Sequence, residues 1–138
     1  MSTNILRIIQ SILFSVLLTV MPVNSSYSEI SETIDVVIKT SLGSIEVELY
    51  SEKAPITVHN FLRYLDGGYY NRSSFYRTVR LNNDNGNPKI EVIQGGIGQV
   101  QKPFPMIRHE STKDTGLSHL DGTISMSRGA IDTATSDF

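Results

Sequence analysis

The 138-residue chain contains no cysteine and no tryptophan. Without cysteine it can form no disulfide, cannot use a thiol as a nucleophile and cannot build a cysteine-based zinc site. Neither sign of charge is in large excess, because 12 basic side chains stand against 14 acidic ones, for a net charge of −2. This balance gives no reason to expect nucleic acid or an anionic membrane as a partner.

Apolar residues make up 39 % of the chain and charged residues 19 %. These fractions are ordinary for a soluble globular fold and too apolar for a disordered chain. The length predicts one domain.

The N-terminus has the layout of a secretory signal peptide. Arg7 supplies a basic start, and the apolar run Ser11–Val23 follows it. That run is shorter than the roughly 20 residues that a membrane-spanning helix needs. The small residues Ser26 and Ser28 stand where a signal peptidase requires them, just before Glu29.

We therefore predict a signal peptide over residues 1–28, a linker over 29–34 and one domain over 35–138. The mature protein would be exported to the periplasm and would not stay inserted in a membrane after cleavage. An uncleaved anchor or a buried first helix is the alternative interpretation of the same segment.

Two hairpins are predicted within the domain. DVVIKT leads into the turn SLGS, and apolar and acidic residues then alternate in IEVELY, the period of a strand with one buried face. Farther along, SSFYRTV and KIEVIQGG flank a stretch dense in asparagine, aspartate and glycine, which favour turns. This stretch predicts a hairpin with a long tip.

An amphipathic helix is predicted between the hairpins. Four apolar residues recur at the spacing i, i+3, i+4, i+7, namely Val58, Phe61, Leu62 and Leu65. Pro55 stands in the first turn and Thr57 is a possible N-cap. Gly67 and Gly68 would end the helix.

The last part of the chain is predicted to be a loop followed by strand segments. Residues 102–123 are rich in proline and glycine, and their two histidines have no third ligand at a metal-binding spacing. TISM, at Thr123–Met126, is typical of a strand entering a core, and ATSDF, at Ala134–Phe138, of the approach to another strand.

In this order, the segments resemble the cyclophilin-type peptidyl-prolyl cis-trans isomerases, and among them the bacterial secreted branch. The motifs that carry the resemblance are F-Y-R at Phe75–Arg77, Q-G-G at Gln94–Gly96 and I-S-M at Ile124–Met126. The likeness covers about Asp35–Phe138. It implies a mainly β fold, an eight-stranded antiparallel barrel with a helix closing each end. The barrel would be incomplete here, because the C-terminal strands and the second helix are expected beyond Phe138.

The resemblance also implies roles for individual residues. Arg77 matches the main catalytic residue, and Gln94 matches a glutamine that hydrogen-bonds the substrate backbone and helps to hold the arginine. The implied substrate-binding residues are Phe75, Val92, Ser127, Arg128 and Asp137. Among these, Val92 would form an apolar wall of the proline pocket. By period two, Phe75 would share a face with Arg77 and pack beside it.

The chemistry of such a site needs neither a metal nor a cofactor. Amide resonance opposes rotation about an X-Pro bond with a barrier of about 18–20 kcal/mol. A donor that stabilises the twisted amide lowers this barrier, and each 1.4 kcal/mol or so of differential stabilisation gives a tenfold faster rate. Arginine suits this role because its rigid guanidinium is always charged.

The sequence thus predicts a monomeric, exported prolyl isomerase that acts on proline-containing peptides and unfolded proteins. Two alternatives stay open. One is a non-catalytic module that binds proline-containing peptides, and the other is an inactive fragment of a cyclophilin.

Overall fold

The computed structural model describes residues 33–98 and 102–138, so the predicted signal peptide lies outside the described residues. The elements in chain order are β1 (Thr33–Thr40), β2 (Gly43–Tyr50), α1 (Pro55–Asp66), a 3-10 turn (Tyr69–Arg72), β3 (Ser74–Val79), β4 (Val92–Gly96) and α2 (Thr112–Thr115). The strands form two antiparallel two-stranded sheets, β1 with β2 and β3 with β4. The mainly β antiparallel fold is confirmed, and the described strands form no closed barrel.

The first hairpin lies where the alternation of apolar and acidic residues predicts it. Its register runs from Thr33 opposite Tyr50 to Thr40 opposite Gly43. Gly43 has a φ of 140°, a conformation that favours glycine, and it closes the tight turn. β1 begins two residues inside the predicted linker, because β2 is long enough to offer Thr33 and Ile34 pairing partners.

The helix α1 begins at Pro55, as predicted, but its start is capped from elsewhere in the chain. Ala54 holds the N-cap position and its side chain makes no capping bond. The carboxylate of Glu110 instead accepts hydrogen bonds from the backbone N–H groups of Ile56 (3.0 Å) and Thr57 (2.8 Å). The expectation that Thr57 caps the helix is therefore wrong, because a distant carboxylate satisfies these first-turn donors.

The apolar face of α1 differs in part from the predicted stripe. Val58 and Phe61 are buried and form a core cluster with Leu49 of β2. Leu65 is exposed, whereas Tyr64 is completely buried. The ring of Tyr64 packs at 4.9 Å, centroid to centroid, against Phe104 from the long loop, so loop packing widens the buried face. Among the described residues, no helix is both long and apolar enough to cross a membrane.

The second hairpin contains a β-bulge. Phe75 lies opposite Gly95 and Arg77 lies opposite Gln94, so Tyr76 is an extra residue in β3. A bulge of this kind bends its strand and changes the direction in which side chains point. The long connection between β3 and β4 is the hairpin tip that the sequence predicts.

The last residues lie beside β4. Phe138 and Gly95 exchange two backbone hydrogen bonds of 2.9 and 2.7 Å, and the N–H of Ser127 donates to the carbonyl of Asp137 at 2.7 Å. The predicted strand at Thr123–Met126 is not formed, because the segment lacks a continuous ladder of backbone partners. Its side chains Ile124 and Met126 nevertheless pack against the core cluster.

Candidate active site

The bulge in β3 brings two neighbouring side chains to one glutamine. In a regular strand Tyr76 and Arg77 would point to opposite faces of the sheet. Here a guanidinium nitrogen of Arg77 and the hydroxyl of Tyr76 both contact the side chain of Gln94 on β4. The extra residue in the strand therefore assembles the site.

Gln94 is at the centre of a hydrogen-bond network. Its Oε1 accepts from Nη1 of Arg77 at 3.0 Å, and its Nε2 donates to the hydroxyls of Tyr76 and Ser127, both at 2.9 Å. Because a guanidinium can only donate, the oxygen of the amide must face Arg77. Both N–H groups of the amide are consequently used within the chain. Three of the predicted site residues, Arg77, Gln94 and Ser127, are thus brought together.

The bulge also separates two predicted neighbours. Phe75 pairs with Gly95 and Arg77 pairs with Gln94, and adjacent residues of β4 point to opposite faces. The expectation that Phe75 and Arg77 share a face is therefore wrong, because it assumed an unbroken strand. Phe75 packs edge-to-face against Phe138, with the ring centroids 6.1 Å apart.

The glycine opposite Phe75 is required by close packing. A Cβ atom on Gly95 would lie 2.9 Å from the Phe75 ring, which is too close for a side chain there. The first glycine of the Q-G-G motif thus allows the aromatic ring to cover β4.

Asp137 is held by groups of the chain itself. Its carboxylate forms an ion pair with Lys102 at 3.2 Å and accepts hydrogen bonds from the Gly98 N–H and the Ser136 hydroxyl, both at 3.0 Å. Its side chain is only 17 % exposed. These contacts show Asp137 supporting the loop after β4, while a role in binding substrate stays a prediction.

The environment of Tyr76 keeps its hydroxyl protonated. Burial raises the pKa of Tyr76, and the charge of Asp137 together with a hydrogen bond to that carboxylate raises this pKa further. A protonated hydroxyl can still accept the hydrogen bond from Gln94 at 2.9 Å.

Two predicted residues stand outside this network. Val92 begins β4, lies on the same face as Gln94 and is 40 % exposed, so its side chain is open to a ligand. Arg128 is exposed and donates to the carbonyl of Gly129 at 3.3 Å. Their roles in binding substrate stay predictions.

Sequence reasoning missed Tyr76 and Lys102. Tyr76 stands inside the F-Y-R motif, but strict alternation places it on the face opposite to Arg77. No local sequence pattern predicts the bulge. Lys102 forms an ion pair with Asp137, which lies 35 residues later in the sequence, so the contact depends on the fold. Within residues 33–98 and 102–138, no cluster of three histidine, aspartate or glutamate residues could hold a metal ion.

Comparison with known proteins places these residues in a family. Residues 35–138 match the family model described as cyclophilin type peptidyl-prolyl cis-trans isomerase. The chain is 38 % identical over 107 residues to peptidyl-prolyl cis-trans isomerase A of Dickeya dadantii, covering 75 % of this chain and 51 % of that protein. It is 36 % identical over 104 residues to a peptidyl-prolyl cis-trans isomerase of Acinetobacter baylyi, covering 72 % of this chain and 50 % of the relative.

A eukaryotic relative shows a similar level of identity. Over 105 residues the chain is 36 % identical to peptidyl-prolyl cis-trans isomerase-like 1 of Aspergillus fumigatus, which covers 75 % of this chain and 62 % of the relative. No solved structure matches the chain significantly. The chain spans about half the length of the two bacterial relatives.

Proposed function

Because the chain belongs to the cyclophilin-type peptidyl-prolyl cis-trans isomerase family, we propose that it accelerates cis–trans exchange at X-Pro bonds. The substrates we propose are proline-containing peptides and unfolded proteins. The observation that carries this proposal is the exposed hydrogen bond between Arg77 and Gln94, which holds a guanidinium on one face of the β3–β4 hairpin.

The proposed mechanism is stabilisation of the twisted amide by Arg77. When an X-Pro bond rotates, resonance is lost and the proline nitrogen becomes pyramidal and basic. A guanidinium carries five N–H donors, and the bond to Gln94 engages one of its nitrogens. The remaining donors can hydrogen-bond the proline nitrogen, and this interaction is strongest in the transition state, which is the condition for catalysis.

The position of Arg77 favours such selective stabilisation. Its Nη1 is anchored to an amide that two further hydrogen bonds hold in place, through Tyr76 and Ser127. An anchored donor needs little reorganisation as the amide twists, so its electrostatic contribution is larger than that of a free surface arginine.

We also propose that the protein is exported and assists the folding of envelope proteins, as a monomer. The support is the basic start, the short apolar run and the small residues before Glu29. Fractionation of expressing cells tests this proposal. Recovery of a periplasmic protein beginning at Glu29 is expected, and retention of the uncleaved chain in the cytoplasm would contradict it.

A second candidate is a module that binds proline-containing peptides without isomerising them. The observation that favours it is that both N–H groups of the Gln94 amide already donate to Tyr76 and Ser127. A substrate carbonyl must displace one of these hydroxyls before it can use Gln94. A binding module could avoid that exchange by relying on backbone contacts alone.

Refolding of a protein limited by proline isomerisation separates the two functions. Under the isomerase proposal the chain shortens the slow phase, and Arg77→Ala reduces the acceleration about 10²-fold, as for other donors aimed at a transition state. Arg80→Ala, which removes an exposed arginine directly after β3, serves as the matched control and should act as the unchanged chain does. Equal acceleration by the Arg77→Ala variant would contradict the proposal, and binding without acceleration would favour the second candidate.

A further inference from the structure

A cleft lies beside Tyr76, next to the Arg77–Gln94 pair. Its volume is about 430 Å³, within the usual range for ligand sites. The residues that line it come from the 3-10 turn, from β3 and from the loop after β4: Arg72, Ser73, Ser74, Tyr76, Gly96, Ile97 and Gly98.

Tyr76 joins this cleft to the candidate active site. The residue lines the cleft, and its hydroxyl holds Gln94 at 2.9 Å. Only the side chain of Tyr76 therefore separates the cleft from the Arg77–Gln94 pair, where the polypeptide would bind.

Among the described residues that line the cleft, Arg72 is the only charged one. Arg72 ends the 3-10 turn, is exposed and forms no ion pair with an acidic group in the described part of the chain. The nearby carboxylate of Asp137 forms an ion pair with Lys102 at 3.2 Å, which weakens its repulsion of a second carboxylate. The three residues after Gly98, which are Gln99, Val100 and Gln101, carry no charge.

The cleft is also lined by a serine hydroxyl that can donate a hydrogen bond and by glycine residues, which have no side chain to fill it. Ser73 donates its hydroxyl proton to the carbonyl of Tyr70 at 2.8 Å, so Ser74 is the hydroxyl better placed to donate to a ligand. Gly98 has a φ of 65°, and a Cβ atom there would lie 3.8 Å from the Tyr76 ring. A side chain at this position would therefore project against the ring and narrow the space.

We infer that this cleft binds an acidic side chain of the substrate polypeptide, with the carboxylate on Arg72 and the Ser74 hydroxyl. A guanidinium presents parallel N–H groups that match the two oxygens of a carboxylate, which makes arginine selective for this ligand. The inference rests on the proposed function, since it assumes a substrate held at Arg77. It adds a preference for acidic residues near the proline.

A set of short peptides with one proline tests this preference on the full chain. Glutamate, glutamine or lysine is placed in turn at each of three positions on either side of the proline. NMR titration gives Kd for each peptide, and exchange spectroscopy gives the isomerisation rate separately. At one position we expect the glutamate peptide to bind about 2–5-fold more tightly than the glutamine peptide, the range of an exposed ion pair, and the difference should shrink at high salt.

Three variants assign that preference to the cleft. Arg72→Gln should abolish it, Arg72→Lys should keep only the part that depends on charge, because it loses the paired N–H donors, and Arg108→Gln should leave it unchanged. The last variant removes the same charge from an exposed arginine that does not line the cleft, and so controls for net charge. Isomerisation of the glutamine peptide should be the same in all three.

The inference is overturned if no position distinguishes glutamate from glutamine, if the preference survives Arg72→Gln, or if Arg108→Gln removes it equally. It is also overturned if no peptide binds. These outcomes differ from failure of the proposed function, which would appear as binding without faster exchange for every peptide. In that case the Kd values still decide whether the cleft prefers acidic residues.

Discussion

At the scale of single residues, the hydrogen bonds of Gln94 determine how the site can bind a substrate. Its oxygen accepts from Arg77, and its two N–H groups donate to the hydroxyls of Tyr76 and Ser127. A substrate carbonyl can bind Gln94 only by taking the place of one hydroxyl. The net free energy of the displaced hydrogen bond, about 1 kcal/mol, therefore opposes binding.

Tyr76→Phe tests this competition, because it removes the hydroxyl and keeps the ring. One N–H of Gln94 then no longer has an acceptor within the chain, and we expect proline peptides to bind up to about fivefold more tightly. NMR titration of a peptide without acidic residues measures the change. Tyr50→Phe, which removes a hydroxyl that bonds Glu48 on the first hairpin, is the matched control. Unchanged or weaker binding by Tyr76→Phe would contradict the competition.

The motifs predict part of this network. Arg77 and Gln94 stand in the motifs and Ser127 directly follows the last of them, and the structure brings these three residues together. The motifs do not predict Tyr76, because the bulge that turns it toward Gln94 depends on the pairing of β3 with β4 and leaves no pattern in the sequence. Contacts that arise from register and from distant loops lie beyond what local periodicity can show.

At the scale of elements, one carboxylate orders the long tip of the second hairpin. Asp84 accepts hydrogen bonds from the backbone N–H groups of Gly86 at 2.9 Å and Ile90 at 2.7 Å. These bonds, first that from Ile90 and then that from Gly86, lower the pKa of Asp84 below its ordinary value of 3.8. Bonds from backbone donors favour the ionised form of the carboxyl group.

The order of this tip should therefore depend on pH in the acid range. A lowered pKa in the folded state means that the stabilisation is present above the ordinary value near 3.8 and is lost as pH falls through the lower, folded value. We expect the amide proton shifts of Gly86 and Ile90 to titrate together, with a midpoint below 3.8. In Asp84→Asn this common titration should vanish. Independent midpoints, or one above 3.8, would contradict the assignment.

The elements themselves are the most predictable part of the fold. Period-two alternation predicts β2, and helical spacing with Pro55 and the glycine pair predicts α1 and its limits. The one-turn helix α2 was missed within a loop rich in proline and glycine. Its N-cap Ser111 accepts from the N–H of Asp114 at 3.2 Å, a local signal too short to outweigh the breakers around it.

At the scale of the whole molecule, Phe138 connects the core to the site. Its backbone pairs with Gly95 of β4, and its ring packs against Phe61 of α1 at a centroid distance of 5.5 Å and against Phe75 of β3 at 6.1 Å. One residue thus joins the helix to the strands that carry Arg77 and Gln94. The sequence predicts an approaching strand here, but neither its partner nor its packing, since both depend on residues far apart in the chain.

The central claim is that Arg77 of this chain, anchored by Gln94, catalyses cis–trans isomerisation of X-Pro bonds in substrate peptides. NMR exchange spectroscopy on a short Ala-Pro peptide tests it most directly, because it reports the rate of cis–trans exchange with no coupled reaction. We predict faster exchange with the chain than without it, and an acceleration about 10²-fold smaller with Arg77→Ala at equal concentration. Exchange that the chain leaves unchanged, or that Arg77→Ala accelerates as well as the original chain does, would contradict the claim.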